Sequence, residues 1–185
     1  IGWGQEMRDQ TALVREASKW DYELRFPEQT AEVVDRAHAI ANSTPKGPVY
    51  VSLPREVLCE VAPSDGLDAP ASMQPARVEP STAQIREAAR LLSEAKYPVI
   101  FAQHGTGTAE AFAALEKMVS DWGIPVCQYW AVQLALPTDH PMAADFNPGP
   151  LLEKADAILV LDCLAPWSPD IHKPRADAKI IQLGP

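Results

Sequence analysis

The fold is decided by the stretch Pro98–Thr108, PVIFAQHGTGT, together with the helical pattern that follows it. The first five residues of this stretch, Pro98–Ala102, are apolar without alternation, which is typical of a strand covered on both faces of a parallel sheet. Thr108 then stands where the N-cap of a helix is expected. Beyond it, apolar residues at helical spacing predict the face that packs on the sheet: Phe112, Leu115, Val119 and Trp122.

The same pattern of strand and helix continues downstream. Apolar strand candidates follow at Pro125–Tyr129, Ala157–Leu161 and Lys179–Leu183, and a short helix around Pro150–Lys154 precedes the second of them. Repeated strand, helix, strand units require parallel strands joined by right-handed crossovers. The sequence therefore predicts a doubly wound, Rossmann-like α/β domain.

A helix is also expected directly before the first of these strands. Ser81 and Gln84 have the spacing of a capping box, in which the hydroxyl and the amide satisfy each other's backbone N–H groups. The predicted inward face of this helix comprises Ile85, Ala88, Ala89, Leu92 and Ala95.

The chain before this helix has a different organisation. Residues 1–61 predict the C-terminal part of another α/β domain, with helices over 5–16 and 28–42 and strands over 18–24 and 48–53. Residues 62–80 are proline-rich and poor in large apolar side chains, as expected of an extended linker. We therefore divide the chain into 1–61, a linker over 62–80, and a second domain over 81–185 that is truncated at its C-terminus.

Composition excludes several classes of protein. The 185 residues carry a formal charge of -9, and Lys and Arg form no cluster, so nucleic acid is not an expected partner. No apolar run approaches the length of a membrane span, and 46% hydrophobic with 22% charged residues is typical of a globular protein. The three cysteines form no CxxC pair, which favours reduced thiols and a soluble, cytoplasmic protein.

Both halves of the chain resemble one known family. In the first half the matching residues are Arg36-Ala37, Ile40-Ala41, Pro45, Gly47–Val51 and Leu53-Pro54. In the second half they lie in the segments 88–126, 139–141, 155–169 and 178–185. In this order and with this linker, the chain resembles thiamine-diphosphate-dependent enzymes of the acetolactate synthase-like group, from the end of the pyrimidine-binding domain through the central domain.

The resemblance implies an activity for an intact protein and a structural role for this segment. Such an enzyme decarboxylates or ligates 2-oxo acids, as a lyase or a transferase, with thiamine diphosphate and Mg²⁺, and its active sites form between subunits of a homo-oligomer. The family's catalytic glutamate would precede Ile1, and its metal-binding GDG…N segment would follow Pro185. The resemblance therefore implies no catalytic residue and no metal ligand within 1–185, and a cofactor bound mostly by regions outside this chain.

The alternative from a different class is a non-catalytic nucleotide-binding or adaptor module. Its basis is the loop formed by Gly105, Thr106 and Gly107, because doubly wound sheets place phosphates at the N-terminus of the first helix. In the flavin-containing branch of the family this position resembles a glycine triplet, of which only Gly105 is kept, and an arginine of that branch aligns with Leu164. FAD is therefore doubtful; FAD, another nucleotide and an empty structural turn remain open, and the sequence favours the empty turn.

A few other polar residues are candidates for chemistry. The resemblance brings Gln5 near the substrate channel of relatives, whereas the residue pattern alone makes it a surface helix residue. Lys19 and Arg8 are candidates to face an anionic substrate, although solvated charges are the simpler interpretation. His104 is a candidate base, against a loop histidine that bonds its own backbone. No histidine has the spacing of a zinc ligand.

Overall fold

The computed structural model describes residues 7–64 and 72–184. The chain divides into two compact units, Ile1–Glu79 and Pro80–Pro185, called unit 1 and unit 2 below. In the described part of the chain, no helix combines the length and the apolar character that crossing a membrane requires.

Unit 1 is built around a two-stranded parallel sheet. Strand β1 (Trp20–Glu23) pairs with β2 (Val49–Ser52), with Trp20 opposite Val49, and helix α1 (Thr30–Asn42) connects them. A short helix α2 (Arg55–Leu58) follows β2. The strands predicted over 18–24 and 48–53 and the helix predicted over 28–42 are confirmed.

The helix predicted over residues 5–16 is wrong in the described part of that range. Residues Thr11–Leu13 and Arg15–Ala17 form two separate 3₁₀ turns instead. The physical reason is competition from a side chain, since the Asp9 carboxylate accepts hydrogen bonds from the Ala12 backbone N–H (3.1 Å) and the Thr11 hydroxyl (2.7 Å). Such local bonds offer the backbone an alternative to a continuous helix.

Lys19 closes the C-terminal end of α1. Its Nζ donates to three backbone carbonyl oxygens, those of Ile40 (2.8 Å), Ser43 (2.7 Å) and Pro45 (2.7 Å). The Ile40 carbonyl also accepts from the Ser43 N–H at 3.2 Å, and the carbonyls of Ser43 and Pro45 lie beyond the helix, at an end where the helix dipole favours a cation. The ammonium group is therefore engaged by backbone and does not serve as a receptor for an anionic substrate.

Replacing Lys19 with Met tests this role. We expect the free energy of unfolding to fall by about 1–2 kcal/mol, because three charge-assisted hydrogen bonds are lost while the aliphatic stem is kept. Urea titration, combined with amide hydrogen exchange in the last turn of α1, measures the effect. The exposed neighbour Lys46 provides the matched control, and equal losses for Lys19→Met and Lys46→Met would contradict the capping role.

Part of the predicted linker is hydrogen-bonded to α1 and to Ser43, the residue that follows it. The backbone N–H of Met73 donates to the Asp35 carboxylate at 2.7 Å, and that of Ala76 donates to the Ser43 hydroxyl at 2.9 Å. Residues 72–80 contain no helix or strand, in keeping with their composition. This part of the linker is therefore irregular and hydrogen-bonded to other residues of unit 1.

Unit 2 contains a four-stranded sheet in the order β4-β3-β5-β6, with every pairing parallel. Its strands are β3 (Pro98–Ala102), β4 (Val126–Cys127), β5 (Ala157–Leu161) and β6 (Lys179–Leu183). Its helices are α3 (Thr82–Glu94), α4 (Ala109–Trp122) and α5 (Gly149–Leu152). The predicted Rossmann-like α/β fold is confirmed, as are the capping box at Ser81 and the N-cap at Thr108.

The sheet of unit 2 is covered on both faces. Along β3, Ile100 and Ala102 belong to one apolar cluster with Leu115 and Val119 of α4. Val99 and Phe101 belong to a second cluster on the opposite face. Because side chains alternate between faces along a strand, the unbroken apolar run of β3 reflects burial on both sides.

Two positions expected on the inward faces of the helices are exposed. Ile85, in the first turn of α3, is 51% exposed, and Trp122, the last residue of α4, is 49% exposed. Both lie at a helix end. Ala89 of α3 is exposed as well, so the buried stripe of this helix is narrower than its apolar pattern suggests.

Candidate functional site

The carboxyl edge of the unit 2 sheet is the place where the topology allows a site. Strand β3 lies between β4 and β5, so the connections that leave β3 and β5 run to opposite sides of the sheet. Doubly wound sheets bind ligands in the crevice at such a switch point. Three loops meet here, formed by residues 103–108, 128–137 and 162–168.

Gln103 joins all three loops. Its backbone carbonyl oxygen accepts hydrogen bonds from the N–H groups of Val132 (2.8 Å) and Gln133 (3.2 Å). Its side-chain Oε1 accepts from the N–H groups of Leu164 (2.8 Å) and Ala165 (3.4 Å). The side chain is only 5% exposed, so this residue fixes the edge from inside.

Gln128, which directly follows β4, fixes the 128–137 loop in a similar way. Its Oε1 accepts from the N–H groups of Ala135 (2.8 Å) and Leu136 (3.2 Å), and its Nε2 donates to the Leu136 carbonyl oxygen at 3.2 Å. The residue is 2% exposed. Both glutamines escaped the sequence interpretation, although each directly follows an apolar strand segment, a position from which a buried polar side chain can reach neighbouring loops.

The loop of Gly105, Thr106 and Gly107 leads into α4. Gly105 and Gly107 have φ values of 72° and 83°, in the left-handed region that favours glycine. A Cβ on Gly105 would lie 3.1 Å from the Gln133 side chain and 3.2 Å from the Leu134 carbonyl oxygen, whereas one on Gly107 would meet nothing within 4 Å. The close packing of Gly105 against the 128–137 loop accounts for this glycine without a ligand.

His104 is bound to the end of β5. Its Nδ1 lies 2.8 Å from the carbonyl oxygen of Asp162 and 3.6 Å from the Asp162 carboxylate. A carbonyl oxygen can only accept, so Nδ1 carries the proton and Nε2 is the basic nitrogen. Asp162 has a φ of 45°, which is unusual for a residue other than glycine, and its N–H donates to the Leu183 carbonyl oxygen at 2.7 Å.

The charge of this edge is one-sided. The loop sequences 103–108, 128–137 and 162–168 contain no Lys or Arg, whereas Asp162 lies in them. A phosphate placed at the N-terminus of α4 would find backbone N–H groups and no cationic side chain.

The described residues do not fit a magnesium–diphosphate site. In the ranges 7–64 and 72–184, no three His, Cys, Asp or Glu side chains come together as metal ligands would. The candidate Gln5 lies outside the described residues.

Two of the three cysteines are buried beside the sheet. Desolvation by burial raises the pKa of the Cys127 and Cys163 thiols from 9.0 to about 11, and the carboxylates of Asp145 and Asp162 act in the same direction. Cys59 is exposed. At neutral pH the two buried thiols are therefore protonated and shielded.

Thiol reactivity and alkaline stability follow from these environments. At about pH 8 we expect one thiol per native chain to react rapidly with an aromatic disulfide reagent, and three after unfolding in denaturant. Because the folded pKa values are raised, the stabilisation is complete below about pH 9 and is lost as the pH rises towards 11. Rapid reaction of three thiols in the native protein would contradict the burial, and Cys59→Ser identifies the exposed one.

Comparison with protein families gives a match that lies in unit 2. The family model described as "Thiamine pyrophosphate enzyme, central domain" matches residues 85–185, which is more than half of the chain. This range contains β3 to β6 and the whole carboxyl edge.

Relatives with assigned names match across both units. A sulfoacetaldehyde acetyltransferase from Rhodobacter capsulatus is 32% identical over 174 residues, which cover 87% of this chain and 28% of that protein. A probable 2-ketoarginine decarboxylase from Pseudomonas aeruginosa is 31% identical over 168 residues, covering 86% of this chain and 29% of that protein. A probable acetolactate synthase large subunit from Methanocaldococcus jannaschii is 30% identical over 139 residues, covering 73% of this chain and 24% of that protein. The chain thus spans less than a third of the length of these relatives.

A solved structure has the same fold. The Rhodococcus jostii thiamine diphosphate-dependent 4-hydroxybenzoylformate decarboxylase aligns with a TM-score of 0.69 and 24% identity, over 94% of this chain and 35% of that one. The alignment supports the architecture described above.

Proposed function

The chain belongs to the thiamine pyrophosphate enzyme family through its central domain, and on that premise we propose that it is a segment of a longer thiamine-diphosphate-dependent enzyme. The longer protein decarboxylates or ligates 2-oxo acids, as a lyase or a transferase. The observation that carries this proposal is the match to the family's central domain over residues 85–185.

The names of the relatives support the reaction class. They include a decarboxylase of a 2-keto acid, an acetolactate synthase and an acetyltransferase. The three names describe different products and substrates. The relatives therefore support a shared reaction class but not a particular substrate.

The role proposed for residues 1–185 is mainly structural. The described residues offer no metal-ligand cluster, and their buried polar groups fix loops to one another. Thiamine diphosphate and Mg²⁺ are held mostly by regions outside this chain, and the segment alone is not catalytic. We further propose that the longer protein is a cytoplasmic homo-oligomer, and that Gln5 lines its substrate channel.

The test is an assay of the longer polypeptide that encloses residues 1–185. We expect release of CO₂ from at least one member of a panel containing pyruvate, 2-oxobutyrate and benzoylformate, dependent on added thiamine diphosphate and Mg²⁺. Detection of acetolactate from pyruvate distinguishes carboligation from simple decarboxylation. Absence of cofactor-dependent turnover on the whole panel would refute the proposed activity.

The alternative, a nucleotide-binding module, is favoured by one observation, the two left-handed glycines that lead into the N-terminus of α4. Against it stand the packing role of Gly105 and the lack of Lys and Arg in the edge loops. We therefore expect that FAD or ADP titrated into the purified protein gives no saturable heat by calorimetry. Micromolar binding of either nucleotide would overturn this prediction and establish the loop as a nucleotide site.

A further inference from the structure

Two cavities lie at the amino edge of the unit 2 sheet, opposite the carboxyl edge described above. Their volumes are about 380 and 170 Å³, and both are lined by Lys96, Pro98 and Gly123. The smaller cavity lies between the beginnings of β3 and β4 and the end of α5. We call this smaller one the amino-edge cavity.

The amino-edge cavity combines an apolar lining with two unpaired lysines. Its apolar lining residues are Pro98, Val99, Pro125, Leu151 and Ala155. Lys96 and Lys154 line it as well, and within residues 7–64 and 72–184 their ammonium groups form no ion pair and no hydrogen bond. Because lysine lays its stem along apolar surface and keeps its charge in water, the two residues present positive charge beside an apolar recess.

No carboxylate balances this charge from the cavity lining. Asp and Glu outnumber Lys and Arg by 25 to 16 in the chain, yet no acidic residue lines the amino-edge cavity. The Asp156 carboxylate lies close in sequence, but its oxygens accept hydrogen bonds from the backbone N–H groups of Lys96 (2.9 Å) and Tyr97 (2.8 Å). Arg175 in turn donates to the Lys154 carbonyl oxygen at 3.4 Å. The backbone that carries both lysines is therefore fixed.

The larger cavity has a different electrostatic character. Ser93, Asp121 and Trp122 line it, so it lies at the last turns of α3 and α4. The C-terminal end of a helix carries partial negative charge, which opposes a bound anion. Asp121 is an acid that is already paired with Lys117 at 2.5 Å. An anion is therefore favoured in the amino-edge cavity and disfavoured in its neighbour.

We propose that the amino-edge cavity binds a small carboxylate with an apolar body. Lys96 and Lys154 attract the carboxylate, and Val99 and Leu151 contact the apolar part. The volume of about 170 Å³ is between five and six times the roughly 30 Å³ that one water molecule occupies in the liquid, which suits a short branched chain or a single ring. A cation of the same shape would meet two ammonium groups and be repelled.

Methyl NMR spectroscopy of the longer polypeptide, recorded without thiamine diphosphate, tests the proposal. We expect 3-methylbutanoate and benzoate to shift the methyl signals of Val99 and Leu151 saturably, and the signals of Leu136, buried at the carboxyl edge, to stay unchanged. The neutral analogue 3-methylbutanamide should need at least about tenfold higher concentrations for the same shifts, because it lacks the charge. Tighter binding of 3-methyl-2-oxobutanoate than of 3-methylbutanoate would identify 2-oxo acids as the source of the carboxylate, and equal binding would identify carboxylic acids in general.

Substitution of the two lysines tests their part in the site. Lys96→Met and Lys154→Met keep the aliphatic stem and should each weaken binding by about fivefold. Lys173→Met is the matched control, since Lys173 is an exposed lysine that lines neither cavity, and it should leave the affinity unchanged. Binding to the unmodified protein is also expected to weaken at about 1 M salt, which screens the two charges.

Three results would overturn the proposal. They are the absence of shifts at Val99 and Leu151 up to about 50 mM carboxylate, an equal response to the amide, and undiminished binding in both lysine variants. Two separate lysine variants keep the test decisive if one of them fails to fold. Because the shifts are read without cofactor or turnover, an inactive protein that binds the carboxylate refutes the proposed activity alone. An active protein without shifts refutes the amino-edge site alone.

Discussion

Replacing Gln128 with Leu is expected to lower the free energy of unfolding of unit 2 by about 3–4 kcal/mol. The substitution keeps the side-chain volume close to that of glutamine but removes both polar atoms of the amide. The backbone N–H groups of Ala135 and Leu136 and the carbonyl oxygen of Leu136 then lose their partner in a region where Gln128 is 2% exposed. Buried polar groups without partners each cost about 1–3 kcal/mol, and the three are not fully additive.

Urea titration followed by far-ultraviolet circular dichroism measures this loss. Gln133→Leu is the matched control, since Gln133 lies in the same loop with an exposed side chain, and we expect it to change stability by less than about 0.5 kcal/mol. If Gln128→Leu were as stable as Gln133→Leu, Gln128 would not be the residue that holds the 128–137 loop.

The second large effect is expected at Gly105. Gly105→Ala should lower the free energy of unfolding by about 2–3 kcal/mol, because alanine is strained at a φ of 72° and its Cβ would crowd the Leu134 carbonyl oxygen at 3.2 Å. Gly107→Ala introduces backbone strain but no close contact, since no atom lies within 4 Å of the added Cβ. It should lower the free energy of unfolding by about 1 kcal/mol.

The difference between the two alanine variants isolates the contact between the 103–108 loop and the 128–137 loop. Thermal and urea unfolding of both variants, measured in parallel with the unmodified chain, provide it. Equal losses would mean that Gly105 is needed for its backbone conformation only, and the packing explanation for this glycine would be withdrawn.

Local chemistry explains the parts of the fold that could be predicted. The unbroken apolar run PVIFA predicted a strand covered on both faces of a parallel sheet, and the side chains of β3 contribute to an apolar cluster on each face. The capping box at Ser81 and the N-cap at Thr108 depend on neighbours three residues away, so both were readable in the sequence. The parallel orientation of the strands followed from the alternation of strand and helix signals along the sequence.

Contacts distant in sequence explain the parts that could not be predicted. Gln103 bonds a backbone amide 61 residues away at Leu164, and Lys19 bonds a carbonyl 21 residues away at Ile40. Neither partner can be inferred from spacing, because a single backbone amide or carbonyl has no sequence signature. The same limit applies to the carboxyl edge of unit 2, whose loops meet only in the folded sheet.

Calorimetric titration of the protein with thiamine diphosphate in the presence of Mg²⁺ is the most direct test of the central claim. This claim is that residues 1–185 support a cofactor site formed elsewhere in the protein. We predict a saturable isotherm for the longer polypeptide and none for the 185-residue chain under the same conditions. Saturable binding to the 185-residue chain, or no binding to the longer polypeptide, would contradict this account.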